Sequence, residues 1–246
     1  MNRRTFLTTF GGITILSGCA MRPPNNQSTV PNNTSSEMEE SATIQVDGTN
    51  VPLVPLSTAI KWYRSNSAHF VDARSYLEYQ RSHIKGAVLS PAPDGQPRND
   101  PVVRWARSAK IVTYCGCPHH LSSLRAATLI DQRFQQVFAL DEGFWAWMDS
   151  GYPVEGTDVT TNPNPSIIQG IVPPRFAGNT VWARHDSSGQ REATAVTKDG
   201  LYELELRFTN VGATSLIYIE TPAYTLIAPL SRLTKGTIKK NGTIDI

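Results

Sequence analysis

The sequence predicts an α/β domain, a parallel sheet with helices on both faces, followed by a small all-β sandwich. Three observations predict it. From Thr43 to Thr157, short apolar runs alternate with amphipathic segments, the pattern of parallel strands joined by helical crossovers. A polar stretch with two Asn-Pro steps, "EGTDVTTNPNPS", then breaks that alternation. From Ile167 onward every apolar run has strand character, and Gly turns separate the runs.

The elements follow in order. "TIQVDGTNVPLV" reads as a hairpin about Asp47-Gly48, and "STAIKWYRSN" as a short helix with Ser57 as its cap. "HFVDAR" is a short buried strand, "SYLEYQRSH" a helix capped by Ser75, and "GAVLS" another strand. "NDPVVRWARSA" predicts a helix with Pro101 just inside its start, where a missing amide donor costs nothing. "KIVTY" suits a central parallel strand. The helix "LSSLRAATLIDQRF" carries Leu124, Ala127 and Leu129 near one face, "QVFAL" closes the strand series, and "GFWAWMDSGYP" is a final helix stopped by Gly151 and Pro153. After the break come "IIQGIV", "NTVWARHD", "EATAVT", "LYELELRF", "SLIYIET", "YTLIAPL" and "GTIKKNGTIDI", with turns at Ser188-Gly189, Asp199-Gly200 and Asn241-Gly242. In "LYELELRF" the polar and apolar residues alternate, which predicts one wet and one buried face. "TKDGLY" weakly resembles the prealbumin-like and carboxypeptidase-regulatory modules, and His185-Asp186 reads as a turn pair. This module, without a catalytic cluster of its own, reads as a binding or spacer domain.

The amino terminus reads as an export signal: Arg3 and Arg4, an apolar run of about fifteen residues, then small residues before Cys19. That run is short of the roughly 20 residues a permanent span needs. Arg-Arg-Thr-Phe-Leu resembles a twin-arginine signal, and "LSGC" (Leu16 to Cys19) resembles a lipobox whose Cys is lipidated. Residues 21–42 are rich in Pro, Asn, Ser and Thr without apolar pattern, a composition that cannot offset its ordering entropy. The expected organisation is a signal peptide with lipobox over 1–20, a flexible linker over 21–42, an α/β domain over 43–157, a linker over 158–166 and a β-sandwich over 167–246. The expected location is the extracytoplasmic face of the cell membrane, reached by the twin-arginine route and held by lipid on Cys19. A net charge of +2 without a basic run gives no footprint for nucleic acid.

The chemistry concentrates in "KIVTYCGCPHHLSSLRAA", which holds two of the three cysteines and two of the five histidines within six residues. Exported proteins stapled by disulfides carry several well-separated cysteines; with Cys19 lipidated, only Cys115 and Cys117 remain, two apart. These thiols therefore read as chemical. Cys115 directly follows a central strand, and a helix begins shortly after, so the loop opens at the carboxyl end of the sheet, where α/β proteins bind ligands. Amides at the helix start and the helix dipole favour thiolate over thiol. Position alone makes Cys115 a nucleophile candidate.

Several motifs, taken in order, resemble the rhodanese family of single-domain sulfurtransferases over Val54 to Val154. "FVDARSYLEYQRSHIKGAVLSP" is similar to the first family signature, "KIVTYC" with "RAA" in the next helix to the active-site segment, and "VFALDEGFWAWMDSGYPV" to the closing segment. The resemblance implies a rhodanese-like fold. It also implies that the Cys115 thiolate takes a sulfane sulfur from a small donor as a cysteine persulfide and passes it to a thiol acceptor. Asp72, Arg74 and His83 read as scaffold: a hydrogen-bond network and turn near the site.

The loop departs from the common family pattern and resembles a CxCP variant. No basic residue follows Cys115, and Arg125 already lies inside the helix. Substrate charge then falls to the amides of an anion-binding loop, Gly116, Leu121, Ser122 and Ser123, with the hydroxyls of Ser122 and Ser123 and whichever imidazole is protonated. The donor is left open. Cys117 either packs under the loop or resolves the persulfide. His119 and His120 are either exposed loop residues or assist proton transfer and anion binding. Two thiols and two imidazoles also make a soft ligand set for zinc or copper. However, ligands crowded into six residues rarely reach one tetrahedral centre unaided, so neither metal nor cofactor is assigned. The leading expectation is a membrane-anchored sulfurtransferase or persulfide carrier. The alternatives are a non-catalytic binding module of the same fold, with the β-domain meeting a protein partner, and a Cys/His metal-binding lipoprotein.

Overall fold

Five parallel strands and one antiparallel edge strand form the principal sheet. The computed structural model describes residues 42–246; Cys19, the export signal and most of the expected tether lie outside them. In chain order the first elements are β1 (Thr43–Val46), β2 (Thr49–Val54), α1 (Leu56–Arg64), β3 (His69–Asp72), α2 (Tyr76–Arg81), β4 (His83–Ile84), β5 (Val88–Leu89), β6 (Lys110–Tyr114), α3 (Leu121–Asp131), β7 (Gln136–Leu140), α4 (Gly143–Asp149) and β8 (Val154–Glu155). The sheet runs β1-β2-β7-β6-β3-β5, with β1 alone antiparallel, turned back through Asp47 and Gly48 at positive φ. β4 and β8 make a small antiparallel ribbon beside it.

Alternation along the strands explains the two covered faces. Phe70 of β3 and Val112 of β6 point to one core, with Ile60 of α1 and Phe144 and Trp147 of α4. Their neighbours Val71 and Ile111 point to the other, with Ala126 and Leu129 of α3. Successive side chains of a strand face opposite ways, so β6, buried on both faces from Ile111 to Tyr114, requires helices on both sides.

Three local expectations differ. Ser57 lies inside α1; Pro55 is the cap residue, and the Leu56 amide donates to the Glu142 carboxylate at 2.8 Å. Pro101–Arg104 is a single 3-10 turn, capped by the Asp100 carboxylate accepting from the Val102 amide at 2.9 Å. α3 is buried nearly all round, Ser122, Ser123 and Arg125 included, because a further strand covers the side away from the sheet.

That strand comes from the second half of the chain: β9 (Ser166–Ile171), β10 (Thr180–His185), β11 (Gln190–Ala195), β12 (Leu201–Leu206), β13 (Leu216–Glu220), β14 (Thr225–Pro229), the short helix α5 (Leu230–Leu233), β15 (Thr237–Ile238) and β16 (Ile244–Asp245). Two four-stranded sheets, β11-β10-β13-β14 and β12-β9-β15-β16, enclose a core of Ile168, Val181, Leu204, Leu206, Ile217 and Ile219. Ser188-Gly189 and Asn241-Gly242 close hairpins, as expected. Asp199-Gly200 instead carries the chain from β11 to β12 in the opposite sheet. Both sheet systems belong to one compact unit. Among the described residues no helix is long and apolar enough to cross a membrane.

Candidate active site

The loop from Cys115 to His120 leaves the carboxyl end of β6 and turns directly into α3. Two backbone bonds hold it: the Phe144 amide donates to the Cys115 carbonyl at 2.8 Å, and the Trp145 amide to the Gly116 carbonyl at 3.4 Å. This close seat explains Gly143. It has φ of +76°, and a Cβ there would lie 2.8 Å from the Gly116 carbonyl oxygen and 2.9 Å from Cys117 backbone atoms. Thr113 fixes the other end by donating to the Ser122 carbonyl at 2.8 Å.

Cys115 has no exposed surface. As a thiol it can donate to the Cys117 carbonyl oxygen, 3.1 Å from Sγ, and Ser122 Oγ lies 3.4 Å away. Burial alone pushes this thiol up. Hydrogen bonds from the Cys117 thiol, from the hydroxyl and amide of Ser122 and from the His120 amide outweigh burial and bring it down to about 7. Cys117 moves the opposite way: donating to Cys115, then burial, then the Glu192 carboxylate, push it well above the ordinary thiol range. The two thiols thus divide the roles, one anion and one donor.

The remaining loop residues are distributed as follows. His119, in the left-handed region at φ of +46°, bonds through Nε2 to Asp141 Oδ1 at 2.5 Å. His120 places Nδ1 3.1 Å from Cys117 Sγ; burial, then His119, lower its pKa, so it is a neutral ring at neutral pH. Ser123 Oγ donates to the carbonyls of His119 and His120, closing the first turn of α3. The Leu121 side chain packs against Cys115. Ser122 is therefore the one hydroxyl of the anion-binding loop that faces the thiol.

Sequence reasoning missed the cover. Ala193 of β11 joins Cys115, Leu121 and Leu124 in one apolar cluster. The carboxylate of its neighbour Glu192, also buried, has Oε2 3.8 Å from Cys117 Sγ and Oε1 3.9 Å from His120 Nδ1. Burial, then the Cys115 charge, push Glu192 well above the usual carboxylate range. Nothing in the run "EATAVT" signals this, since a strand pattern shows which side is apolar but not what it meets.

The family model for the Rhodanese-like domain matches residues 57–150. Those residues form a rhodanese-like domain. Thiosulfate sulfurtransferase GlpE from two strains of Vibrio cholerae is 28% identical over 107 residues, which is 42% of this chain and 94% of that protein. Among solved structures, the rhodanese-like domain of an Anabaena sp. protein is 23% identical with a TM-score of 0.40, covering 46% of this chain and 84% of that one. The human single domain sulfurtransferase is 16% identical with a TM-score of 0.35, covering 40% of this chain and 96% of that one.

Within the rhodanese-like domain, the sequence-predicted scaffold residues surround the site without touching the thiol. Arg74 makes a two-pronged contact with Asp72, Nε to Oδ1 at 3.0 Å and Nη2 to Oδ2 at 2.7 Å, and donates to the Ser82 carbonyl at 2.7 Å. Its guanidinium lies 4.1 Å above the Phe144 ring. His83 stacks on Tyr79 and contacts the Tyr79 carbonyl at 2.7 Å and Glu155 at 3.2 Å. Arg125 pairs with Asp100 at 3.1 Å and with Ser90 at 2.9 Å. Both arginines are thus occupied by carboxylates, and neither thiol has an Arg or Lys hydrogen-bond partner among the described residues.

Proposed function

We propose that this protein is a membrane-anchored, extracytoplasmic sulfurtransferase or persulfide carrier with Cys115 as its nucleophile. The observation that carries this reading is the division of the thiols: Cys115 is brought down to about 7 by the donors around it, while Cys117 is held as a thiol. The likeness to thiosulfate sulfurtransferases supports the reaction class. In the first step the Cys115 thiolate attacks the outer sulfur of a donor. The bond between that sulfur and the rest of the donor breaks, its electron pair leaves with the remainder, and Cys115 becomes a persulfide. In the second step an acceptor thiolate attacks the terminal sulfur, forms its own persulfide and returns the Cys115 thiolate. Each step is a displacement with no net redox change, and covalent catalysis divides one transfer into two easier ones.

The electrostatics favour one donor class. A dianion such as thiosulfate would meet no Lys or Arg bonded to either thiol among the described residues, and it would approach Glu192. A persulfide of a thiol, carrying at most a single charge on its sulfur, fits better. A second reading, a binding module of the same fold, draws on the complete burial of Cys115 beneath Ala193. The anchoring half of the proposal draws on Arg3-Arg4 and on Leu16 to Cys19.

Mass spectrometry of the reduced full chain tests all of this. Wild type, Cys115→Ser and Cys117→Ser are exposed separately to thiosulfate, mercaptopyruvate and the persulfide of a small thiol. The expected result is one added sulfur on Cys115, loaded best by the thiol persulfide and lost in Cys115→Ser alone. No loading by any donor, with both thiols free, rejects the carrier chemistry and leaves the binding module. The same spectra read the mature terminus from cells: a lipid-bearing Cys19 supports anchoring, and an unprocessed Met1 rejects it.

A further inference from the structure

We propose that Cys117, His120 and Glu192 form a binding site for a divalent ion of the zinc class, shared between the loop and β11. The proposal shares Cys117 with the sulfur-transfer reading, which describes the metal-free loop, and its test reads bound metal whether or not Cys115 carries sulfur. A thiolate, an imidazole and a carboxylate are the donors zinc accepts, whereas a set containing a carboxylate is too hard for a cuprous ion.

Three observations carry it. The first is size. Sγ of Cys117 lies 3.1 Å from Nδ1 of His120 and 3.8 Å from a Glu192 oxygen, and the other Glu192 oxygen lies 3.9 Å from that nitrogen. A tetrahedral ion with bonds of about 2.3 Å to sulfur and about 2.0 Å to nitrogen and oxygen needs donors roughly 3.3 to 3.6 Å apart. One donor atom from each residue lies within 4.8 Å of the other two, so the three close on the ion with side-chain shifts of about an ångström.

The second observation is charge. Glu192 is 6% exposed and has no Lys or Arg partner among the described residues; its carboxylate accepts from the amide of its neighbour Ala193 at 2.9 Å and lies 3.8 Å from Cys117 Sγ. Burying a carboxyl group without a cation is costly, and a bound divalent ion supplies the missing charge. The third is segregation. The other candidates are engaged elsewhere, His119 with Asp141 and Cys115 with Ser122. The set that converges is not the one the loop sequence suggests, because its third member comes from a strand 72 residues beyond His120. Three protein donors leave a fourth position for water or an anionic sulfur ligand, and the ion would tie β11 to the loop.

The test uses the full chain, purified without a metal-affinity tag, reduced and stripped with a chelator. Cobalt(II) is the optical probe. One equivalent should produce tetrahedral visible bands and a sulfur-to-cobalt charge-transfer band, both displaced by zinc. Cys117→Ser should lose the charge-transfer band, and Glu192→Gln and His120→Asn should each weaken affinity by about tenfold or more. Cys115→Ser and His119→Asn should bind as wild type. Zinc should also raise the thermal midpoint of wild type by more than that of Glu192→Gln at the same zinc concentration, which keeps the test valid if a loop variant folds poorly. Absence of stoichiometric binding, unchanged affinity in Glu192→Gln, or equal loss in Cys115→Ser would each overturn the proposal.

Discussion

Two thiols separated by a single glycine occupy different chemical states because of the atoms around them. Cys115 collects donors from Ser122, His120 and Cys117, whereas Cys117 faces a carboxyl group and an apolar strand. The difference predicts a pH profile. The anion of Cys115 is the reactive form, so its modification by iodoacetamide in chelator-treated protein should fall about tenfold per pH unit below about 7 and level off above it. Cys117 should stay slow across the same range. A single shared midpoint near the ordinary thiol value would contradict the division of roles. Little of this was legible in the sequence. The position of Cys115 after an apolar strand made it a nucleophile candidate, but the partners that set its protonation state depend on the loop's three-dimensional path.

At the scale of elements, the segment β3-α2-β4 shows how scaffold and site are joined. Ser75 and Glu78 form a capping box at the start of α2, the Ser75 hydroxyl accepting from the Glu78 amide and the Glu78 carboxylate accepting from the Ser75 amide. Arg74, 2% exposed, bridges the end of β3 to the end of α2 through Asp72 and the Ser82 carbonyl. Replacing it by Met fills the volume but leaves the Asp72 carboxylate buried and unpaired, which should cost about 3 to 5 kcal/mol in urea unfolding. Lys should recover only part of this, because an ammonium cannot reproduce the two-pronged contact. Full recovery by Lys would mean that the charge alone matters. The helix and its Ser75 cap were readable from local pattern. The reach of Arg74 to Ser82 was not, since it depends on how tightly the chain turns after α2.

In the molecule as a whole, β11 of the β-sandwich is placed over the loop that carries Cys115, and access to that thiol follows from this. Ala193 closes the thiol's apolar side. Arg81 of α2 ties the two halves, donating to Asp158 at 3.0 Å and to Thr209 at 3.2 Å. Cys115 has no exposed surface, so a reagent reaches it only through a movement of its cover. Arg81→Ala should loosen this contact and raise the rate of Cys115 modification several-fold at constant pH. An unchanged rate, with the protein folded, would mean that reagents enter by another route.

The sequence by itself determined the alternation of strands and helices, the placement of Cys115 at a strand end, the glycine turns of β1-β2, β10-β11 and β15-β16, and the wet and dry faces of β12. These depend on periodicity and on residues adjacent in the chain, where local sterics and burial act. Only the tertiary structure decided that Glu192 and Ala193 meet the loop, that Asp141 takes His119, that Arg74 and Arg125 are consumed by buried carboxylates, and that Asp199-Gly200 crosses between sheets. Each of these is a contact between segments far apart in sequence. The apolar period of a strand or helix states that a face must be covered; it carries no information about which surface covers it.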